Sequence, residues 1–346
     1  MLTLNKVIKM IHLRLLFFVI VLTIFCSGCK NDPLDVDVSE IKVNVAFINA
    51  DSMLYHSTNS LRILLNRNFK QSFPDLYMFT FEKGLKIRTN IDSTYTNQLS
   101  TFYKDPYIKE LEGELQSNFK SLNSEKLEII NAMKHLKYHF KKMNTPNNVV
   151  FFNSLFSYNT LATNTDIGVG LEWYLGPEHK LIKKSSIQGL YDYMKTGMDR
   201  KFLVRDVVYQ WVYAQVQAPT DAKFAEDMVS WGKLLYCMEA ALPEKDKAII
   251  IRYSPEKYKW AEENEKNIWK YFVEQKLLFK SDELLKLGYF NEAPFTKGLP
   301  KESPDRLGQY IGWKMVRKYM EQHSDLPLEK LLNVPFAQIM QAYKID

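Results

Sequence analysis

The feature that most constrains this 346-residue chain is an apolar stretch near its amino terminus. Three cations, Lys6, Lys9 and Arg14, precede the stretch at 15–29, which ends in small residues and a cysteine. This order is the layout of a secretory signal. The apolar run is shorter than the ~20 residues that a transmembrane helix needs. The rest of the chain is therefore expected to fold outside the cytoplasm.

The end of this stretch, Cys26-Ser27-Gly28-Cys29, resembles a bacterial lipobox, in which cleavage precedes the cysteine and the cysteine is acylated. Cys26 stands at the outer position, where that motif usually has leucine. We predict a lipoprotein signal peptide at 1–28, lipidation of Cys29 and a lipidated tether at 29–40. The alternative is an uncleaved anchor helix, which leaves the rest of the chain on the same side of the membrane.

The tether favours the outer membrane as the destination. Lys30 follows Cys29, so the aspartate that retains some proteobacterial lipoproteins at the inner membrane is absent. The acids Asp32, Asp35 and Asp37 partly resemble the acidic tether of surface-exported lipoproteins. The sequence leaves open whether the domain faces the periplasm or the cell surface.

Composition narrows the range of partners and of chemistry. The chain has 46 basic and 40 acidic residues, and loss of the three cations in the signal leaves a net charge of +3 (43 against 40). This weak balance argues against nucleic acid as a partner. Besides the lipidated Cys29, only Cys237 remains after processing, so neither a disulfide nor a cysteine-based zinc site can form. The apolar run around Cys237 predicts a buried, inert thiol.

The rest of the chain is expected to form an α+β domain, predominantly α-helical, with few strands in the N-terminal half and a helical C-terminal half. Alternation or short apolar runs predict strands at 41–47, 149–152 and 167–172. Asp105-Pro106 predicts a helix start, because proline fits the first helical position. Helical spacing is also seen at 61–69, 124–140, 187–194, 204–216, 224–241, 255–279, 305–323 and 336–343. No repeat or linker divides 41–346, which predicts a single domain.

Residues that can carry catalysis show no known motif. His135 and His139 are one helical turn apart, but Leu136-Lys137-Tyr138 between them lacks the glutamate of a metalloprotease helix. We expect boundary histidines on an amphipathic helix rather than a metal site. No phosphate loop, nucleophile elbow or paired histidine–acid motif occurs in the sequence. Most tryptophans are expected in the core, and a minority of the aromatic side chains can line a binding groove.

Five segments of the C-terminal half resemble one family, the GldB-type gliding-motility lipoproteins of the Bacteroidetes. They are 204–208 (VRDVV), 232–236 (GKLLY), 260–269 (WAEENEKNIW), 294–297 (PFTK) and 302–313 (ESPDRLGQYIGW). The resemblance covers most of 125–346 and the lipidated amino terminus. It implies one GldB-like envelope domain at 41–346, with no cofactor and no established catalytic residue. The implied partners are the membrane, through the lipid on Cys29, and envelope proteins of the gliding or secretion machinery.

A fainter resemblance is to HExxH zinc peptidases with a similar helical carboxyl half. The segment RDVVY at 205–209 then occupies the place of the metal motif, with Arg205 and Tyr209 instead of the two histidines and Asp206 instead of the glutamate. A guanidinium stays protonated at neutral pH and is not an ordinary zinc ligand. The resemblance implies a degenerate zincin-like scaffold without metal, retained for binding.

The block at 302–313 completes a candidate binding surface. Gly308 and Gly312 are four residues apart on one helix face, where another helix or a ligand can approach closely. Ser303 or Asp305 is expected to cap that helix. The full candidate surface comprises Arg205, Asp206, Glu302, Ser303, Arg306, Gly308, Gly312 and Trp313.

Two functions are compatible with these features. The first is a non-enzymatic, lipid-anchored envelope protein that binds components of the envelope or motility machinery. The second is an envelope hydrolase, acting on peptide or peptidoglycan, whose site the sequence does not reveal. The lack of a recognisable catalytic motif favours the first function.

Overall fold

The computed structural model describes residues 33–87, 93–184, 189–216 and 222–344. The chain divides into two compact units, 1–36 and 37–346, and the second contains nearly all the described residues. The predicted signal peptide and Cys29 lie outside the described residues, so lipidation stays a prediction. Among the helices that are described, no segment combines the length and apolar character needed to cross a bilayer.

A small mixed sheet lies in the N-terminal half of the chain. Its strands are β1 (Ala46–Asn49), β2 (Asn148–Phe152), β3 (Thr160–Ala162) and β4 (Asp166–Gly170), in the order β1-β2-β4-β3. β1, β2 and β4 are parallel, and β3 pairs antiparallel with β4 at the edge. The predicted strands at 149–152 and 167–172 are confirmed with small shifts at their ends. The first strand begins only at Ala46, where the ladder with Asn148 starts, and β3 is too short to show alternation in the sequence.

Helices make up most of the chain, which confirms the predominantly helical α+β class. In chain order they are α1 (Ala50–Tyr55), α2 (Asn59–Ser72), α3 (Pro74–Tyr77), α4 (Ser93–Lys104), α5 (Pro106–Asn118), α6 (Asn123–His139), α7 (Lys180–Lys183), α8 (Asp192–Lys195), α9 (Leu203–Gln215), α10 (Phe224–Ala241), α11 (Lys247–Ile251), α12 (Pro255–Glu263), α13 (Glu265–Glu274), α14 (Glu283–Phe290), α15 (Leu307–Gln322), α16 (Leu328–Leu331) and α17 (Phe336–Ala342). A π-helix covers Met78–Gly84, and 3₁₀ turns cover Leu171–Tyr174, Arg200–Phe202 and Leu277–Phe279.

Local capping chemistry explains where several helices begin and end. The Asp105 carboxylate accepts the N–H groups of Tyr107 and Ile108, at 2.8 and 3.2 Å, so α5 starts at the predicted place. The single helix predicted at 255–279 is wrong, because it is broken at Asn264. The side-chain amide of Asn264 donates to the carbonyl of Trp260 and competes with the backbone ladder. The helix predicted at 187–194 falls partly outside the described residues.

Among the helices that the structure describes, α10 and α15 form the most extensive pair. Their backbones touch at two glycines: a Cβ on Gly312 would lie 1.7 Å from the carbonyl oxygen of Met228, and a Cβ on Gly232 would lie 2.1 Å from that of Gly312. Only glycine permits this approach. Helix α9 contacts α10 and also the strands β3 and β4, and Asp206 in its first turn is within reach of Asn159, the residue before β3.

Candidate functional site

The first turn of α9 carries two buried charges. The side chains of Arg205 and Asp206 are 5% and 2% exposed, and Arg205 Nη1 donates to Asp206 Oδ1 over 3.1 Å. Arg205 Nε also donates to the backbone carbonyl of Ile250, at 2.9 Å. Buried charges persist in proteins when they are paired and hydrogen-bonded, and both conditions are met here.

The second oxygen of Asp206 connects this turn to the rest of the domain. It accepts hydrogen bonds from Arg252 Nε (3.2 Å), from the hydroxyl of Tyr174 (3.2 Å) and, more weakly, from the amide of Asn159 (3.5 Å). The Asp206 carboxylate therefore lies between two guanidinium groups. Burial and the charge of Asp206 raise the pKa of Tyr174 well above its ordinary value, which keeps this hydroxyl a donor.

A third arginine joins the group through an unusual backbone. Arg252 follows α11 and Arg306 precedes α15, and both have left-handed backbones, with φ of +62° and +54°. Arg306 Nη2 donates to the carbonyl of Arg252 and to Asp305 Oδ1, each at 3.1 Å. Arg205 is bonded to the carbonyl of Ile250, so Arg205 and Arg306 are both attached to the short segment at 250–252. That shared attachment sets the two guanidinium groups near each other.

One polar cavity of about 370 Å³, which we call the arginine cleft, is lined by the three arginines together with Asp206 and Asn159. Arg306 Nε is buried and has no hydrogen-bond partner among the described residues. An unpaired buried donor costs roughly 1–3 kcal/mol. The lining residues are Asn159, Thr160, Tyr193, Met194, Arg205, Asp206, Tyr209, Gln210, Trp231, Arg252, Phe290, Asn291, Glu292, Arg306 and Gln309.

The structure brings three of the eight predicted surface residues together in this cleft and places the other five elsewhere. Glu302 is solvent-exposed and Ser303 is fully buried. The Gly308 face meets the ring of Phe290, and Gly312 meets α10. Trp313 is fully buried, and its Nε1 donates to Glu239 Oε2 at 2.9 Å. The three that meet in the cleft are the adjacent Arg205 and Asp206 and, 100 positions further along the chain, Arg306.

The predicted cap of α15 is wrong. The helix begins at Leu307, and the left-handed Arg306 occupies the position before it without a side-chain cap. Asp305 instead accepts the N–H of Ala293 through Oδ2, at 3.1 Å, and pairs with Arg306 through Oδ1. A carboxylate that binds a distant loop and an arginine no longer serves the helix terminus.

Sequence reasoning missed Arg252, Tyr174, Asn159 and Glu292. Each comes from a separate loop or turn, and none belongs to a motif with recognisable spacing. A left-handed arginine leaves no periodic signal, because the conformation depends on contacts that the surrounding fold supplies. Trp231, by contrast, is one of the predicted minority of aromatic residues that line a groove.

Two features bear on metal binding. The residues that stand in for a zinc motif, Arg205, Asp206 and Tyr209, do not fit zinc, because the arginine bonds as a cation and points its donors at oxygen atoms. Across the described ranges, no group of three or more histidine, cysteine or acidic side chains is arranged to hold a metal.

Burial and the neighbouring His135 lower the pKa of His139 to about 4. Cys237 is fully buried as predicted, and burial raises its pKa to about 12.

A second buried polar group, which we call the acid cluster, consists of Asp51, Glu112 and Glu172. These side chains are at most 3% exposed and come from α1, α5 and the 3₁₀ turn after β4. Asn153 Nδ2 donates to Glu112 Oε1 at 2.8 Å, and Glu172 Oε1 accepts the N–H of Ser154 at 2.9 Å. Burial and the charge of Glu112 raise the pKa of Asp51, and burial raises that of Glu172 to about 7.

Fold and site together define a helical α+β domain whose polar cleft is built from arginine–carboxylate pairs. The family model described as "Gliding motility protein GldB" matches residues 31–345. The chain therefore belongs to this family, and the resemblance found in its sequence is confirmed. The comparisons found no match among curated proteins and none among solved structures.

Proposed function

We propose that this protein is a lipid-anchored outer-membrane lipoprotein that serves the gliding machinery by binding another envelope component, without catalysis. Membership of the family supports a gliding-motility lipoprotein of the envelope, and the family is not a known enzyme family. The anchor is the predicted lipid on Cys29. The binding role is supported by the chemistry of the arginine cleft.

The observation that carries the proposal is the state of the charged groups in the cleft. Arg205 and Arg252 hold the Asp206 carboxylate from two sides, so this acid is occupied by structural ion pairs. Arginine is a poor general acid or base, because it keeps its proton at any physiological pH. It is, however, well suited to recognising an anionic partner through several N–H groups at once.

The alternative function, an envelope hydrolase, draws support from the acid cluster. A carboxyl group with a pKa of about 7, such as that of Glu172, is in the range of a general acid or base. Glu172 is fully buried, as is its partner Ser154, so neither side chain touches the solvent from which a substrate would arrive. Burial on this scale favours a role in folding over one in hydrolysis.

Site-specific photo-crosslinking in intact cells tests the binding role. A photoreactive residue replaces Gln210, which lines the cleft, and in a matched control replaces the exposed Lys318 of α15. We expect a crosslink to a defined envelope protein from position 210 and none from position 318. Recovery of the uncrosslinked protein alone from both positions would contradict a binding function.

The anchor is tested by Cys29→Ala. We expect this variant to move from the membrane fraction to the soluble fraction, because the change removes the site of the predicted lipid. Its far-ultraviolet circular dichroism should match that of the parent. Labelled fatty acid that remains attached to the variant would rule out Cys29 as the lipidation site.

A further inference from the structure

We propose that the arginine cleft binds a carboxylate of a peptide, and that the groove next to it accepts an apolar side chain of the same peptide. This inference rests on the proposed binding function and names the chemical class of the partner. It follows from the free donors of the cleft, its charge balance, its link to an apolar groove and the polar groups on its walls.

Donor groups remain available on two of the three arginines. The hydrogen bonds of Arg205 use Nε and Nη1, and those of Arg306 use only Nη2. Within the described part of the chain, three nitrogen atoms therefore have no hydrogen-bond acceptor. They are Nη2 of Arg205, Nη1 of Arg306 and the buried Nε of Arg306. A planar guanidinium matches the two oxygen atoms of a carboxylate. An incoming carboxylate would therefore bind the η nitrogens of Arg205 and Arg306 that the fold leaves unused.

The charge balance of the cleft favours a ligand with a single negative charge. Three guanidinium groups, at positions 205, 252 and 306, are matched by the carboxylates of Asp206, Asp305 and Glu292. Glu292 is 36% exposed and reaches Arg252 over a long 3.4 Å contact. A ligand that displaced Glu292 into solvent would meet a net charge of +1, three guanidinium groups against two carboxylates, which one carboxylate neutralises. A phosphate monoester, which carries nearly two negative charges at neutral pH, would overcompensate.

An aromatic stack connects the cleft to a larger groove of about 440 Å³. Arg205 lies over the ring of Tyr209 at 4.3 Å, and the rings of Tyr209, Tyr213 and Trp231 follow at successive distances of 5.8 Å. Trp231 lines both the cleft and the groove, so the two spaces share a wall. The groove continues along apolar side chains such as Leu332. A ligand that extends past Trp231 from the cleft into the groove therefore needs an anionic end for the arginines and an apolar end for the groove.

The walls favour a peptide over a lipid. Asn159, Gln210 and Gln309 line the cleft. The amides of Asn159 and Gln309 donate to Asp206 and to the carbonyl of Phe290, so the amide of Gln210 is the one that can pair with the backbone of a peptide. The groove is lined by Glu226, Asp227 and one cation, Lys233, whose ammonium is bonded to the carbonyls of Leu332 and Val334. It therefore lacks, among its described residues, the cluster of free cations that binds anionic lipid headgroups. We therefore assign the anionic end to a peptide carboxylate, either its terminus or an acidic side chain, and the apolar end to a neighbouring residue.

The experiment compares two small probes on the purified full-length protein in detergent. N-acetyl-leucyl-phenylalanine carries a free carboxylate, and its carboxamide differs only in lacking the charge. We expect isothermal titration to show that the acid binds about tenfold more tightly, because its hydrogen bonds to arginine are charge-assisted. Equal affinities would overturn the inference. A stronger response to inorganic phosphate, or to glycerol phosphate as the soluble headgroup of phosphatidylglycerol, would overturn it in favour of a phosphate ligand or a lipid.

Two variants locate the binding. Gln210→Glu adds a negative charge to the cleft wall without disturbing an ion pair. It should reduce the affinity for the acid about tenfold more than the affinity for the carboxamide, because only the acid is repelled by the new charge. Lys318→Glu is the control, with the same acid on an exposed surface of α15. Equal effects of the two variants would overturn the assignment to the cleft. If position 210 crosslinks to a partner but the protein shows no preference for the acid, recognition of a carboxylate is refuted. The proposed binding function would still stand.

Discussion

The arginine cleft and the acid cluster both contain buried carboxyl groups, and the two sites stabilise them in opposite ways. In the cleft, Asp206 is bonded to two guanidinium groups, so its charge is paired inside the fold. In the acid cluster, Glu112 and Glu172 accept hydrogen bonds from neutral amides and from the backbone. Burial then raises the pKa values of the cluster, because a carboxyl group without a paired cation is more stable when protonated.

This difference underlies the different roles that we propose for the two groups. A balanced network of ion pairs keeps charged donors at the surface of a cavity, where a ligand can reach them. A closed cluster of carboxyl groups with raised pKa values instead links the stability of the fold to pH. The sequence does not show which carboxyl group is paired with a cation and which has a raised pKa, because the pairing cations come from distant segments of the chain.

The largest effect is expected for Asp206→Asn, which breaks the balance of the cleft. The change leaves Arg205 and Arg252 buried without their shared anion. The free energy of unfolding in urea should fall by about 3–5 kcal/mol, the usual cost of an uncompensated buried charge. Glu263→Gln, which removes the exposed partner of Lys259, is the control and should change it by less than about 1 kcal/mol. Equal losses would show that the Asp206 network contributes no more than a surface pair.

A smaller effect is expected from pH, through Glu172. Its pKa of about 7 in the folded protein lies above the ordinary value of 4.5, so the folded state holds a proton that the unfolded state releases first. The resulting stability is complete below pH 4.5 and is lost as the pH rises through 7, by up to about 3 kcal/mol. The lowered pKa of His139 acts in the opposite direction below pH 6.5.

Glu172→Gln isolates the contribution of the acid cluster, because glutamine resembles the protonated side chain at every pH. In the parent, the unfolding free energy should fall between pH 5 and pH 8 as Glu172 loses its proton. We expect a smaller fall in the variant, and the difference between the two falls is the contribution of Glu172. Urea unfolding at both pH values measures this difference and cancels the effect of His139. Identical pH profiles would show that Glu172 does not titrate in this range.

The smallest effect is expected for Tyr174→Phe, which tests how far neutral donors support the cleft. The variant loses one hydrogen bond of 3.2 Å to the Asp206 carboxylate, and its unfolding free energy should fall by about 1.5–2 kcal/mol. Tyr213→Phe, at an exposed tyrosine of the same domain, is the control and should leave stability nearly unchanged. A loss as large as that of Asp206→Asn would mean that the hydroxyl, rather than the guanidinium groups, holds the carboxylate in place.

Local signals in the sequence were sufficient for much of the fold. The helix at 224–241 was predicted with its exact bounds, and α5 begins at the predicted Asp105-Pro106, because periodicity and capping act over a few neighbouring residues. The same reasoning failed at Asn264, where a side chain bonds back to the helix, and at β3, whose three residues carry no pattern. The family, too, could be predicted from short ordered segments.

The site depended on contacts that no local signal encodes. Arg205 and Asp206 drew attention in the sequence, but Arg252 and Tyr174, which hold Asp206, did not. Only folding brings these four side chains together, and only their arrangement separates a paired carboxylate from a protonated one. Periodicity and capping act between near neighbours and can be read in one dimension. Ion pairs and pKa values depend on distance and burial, which exist only once the chain has packed.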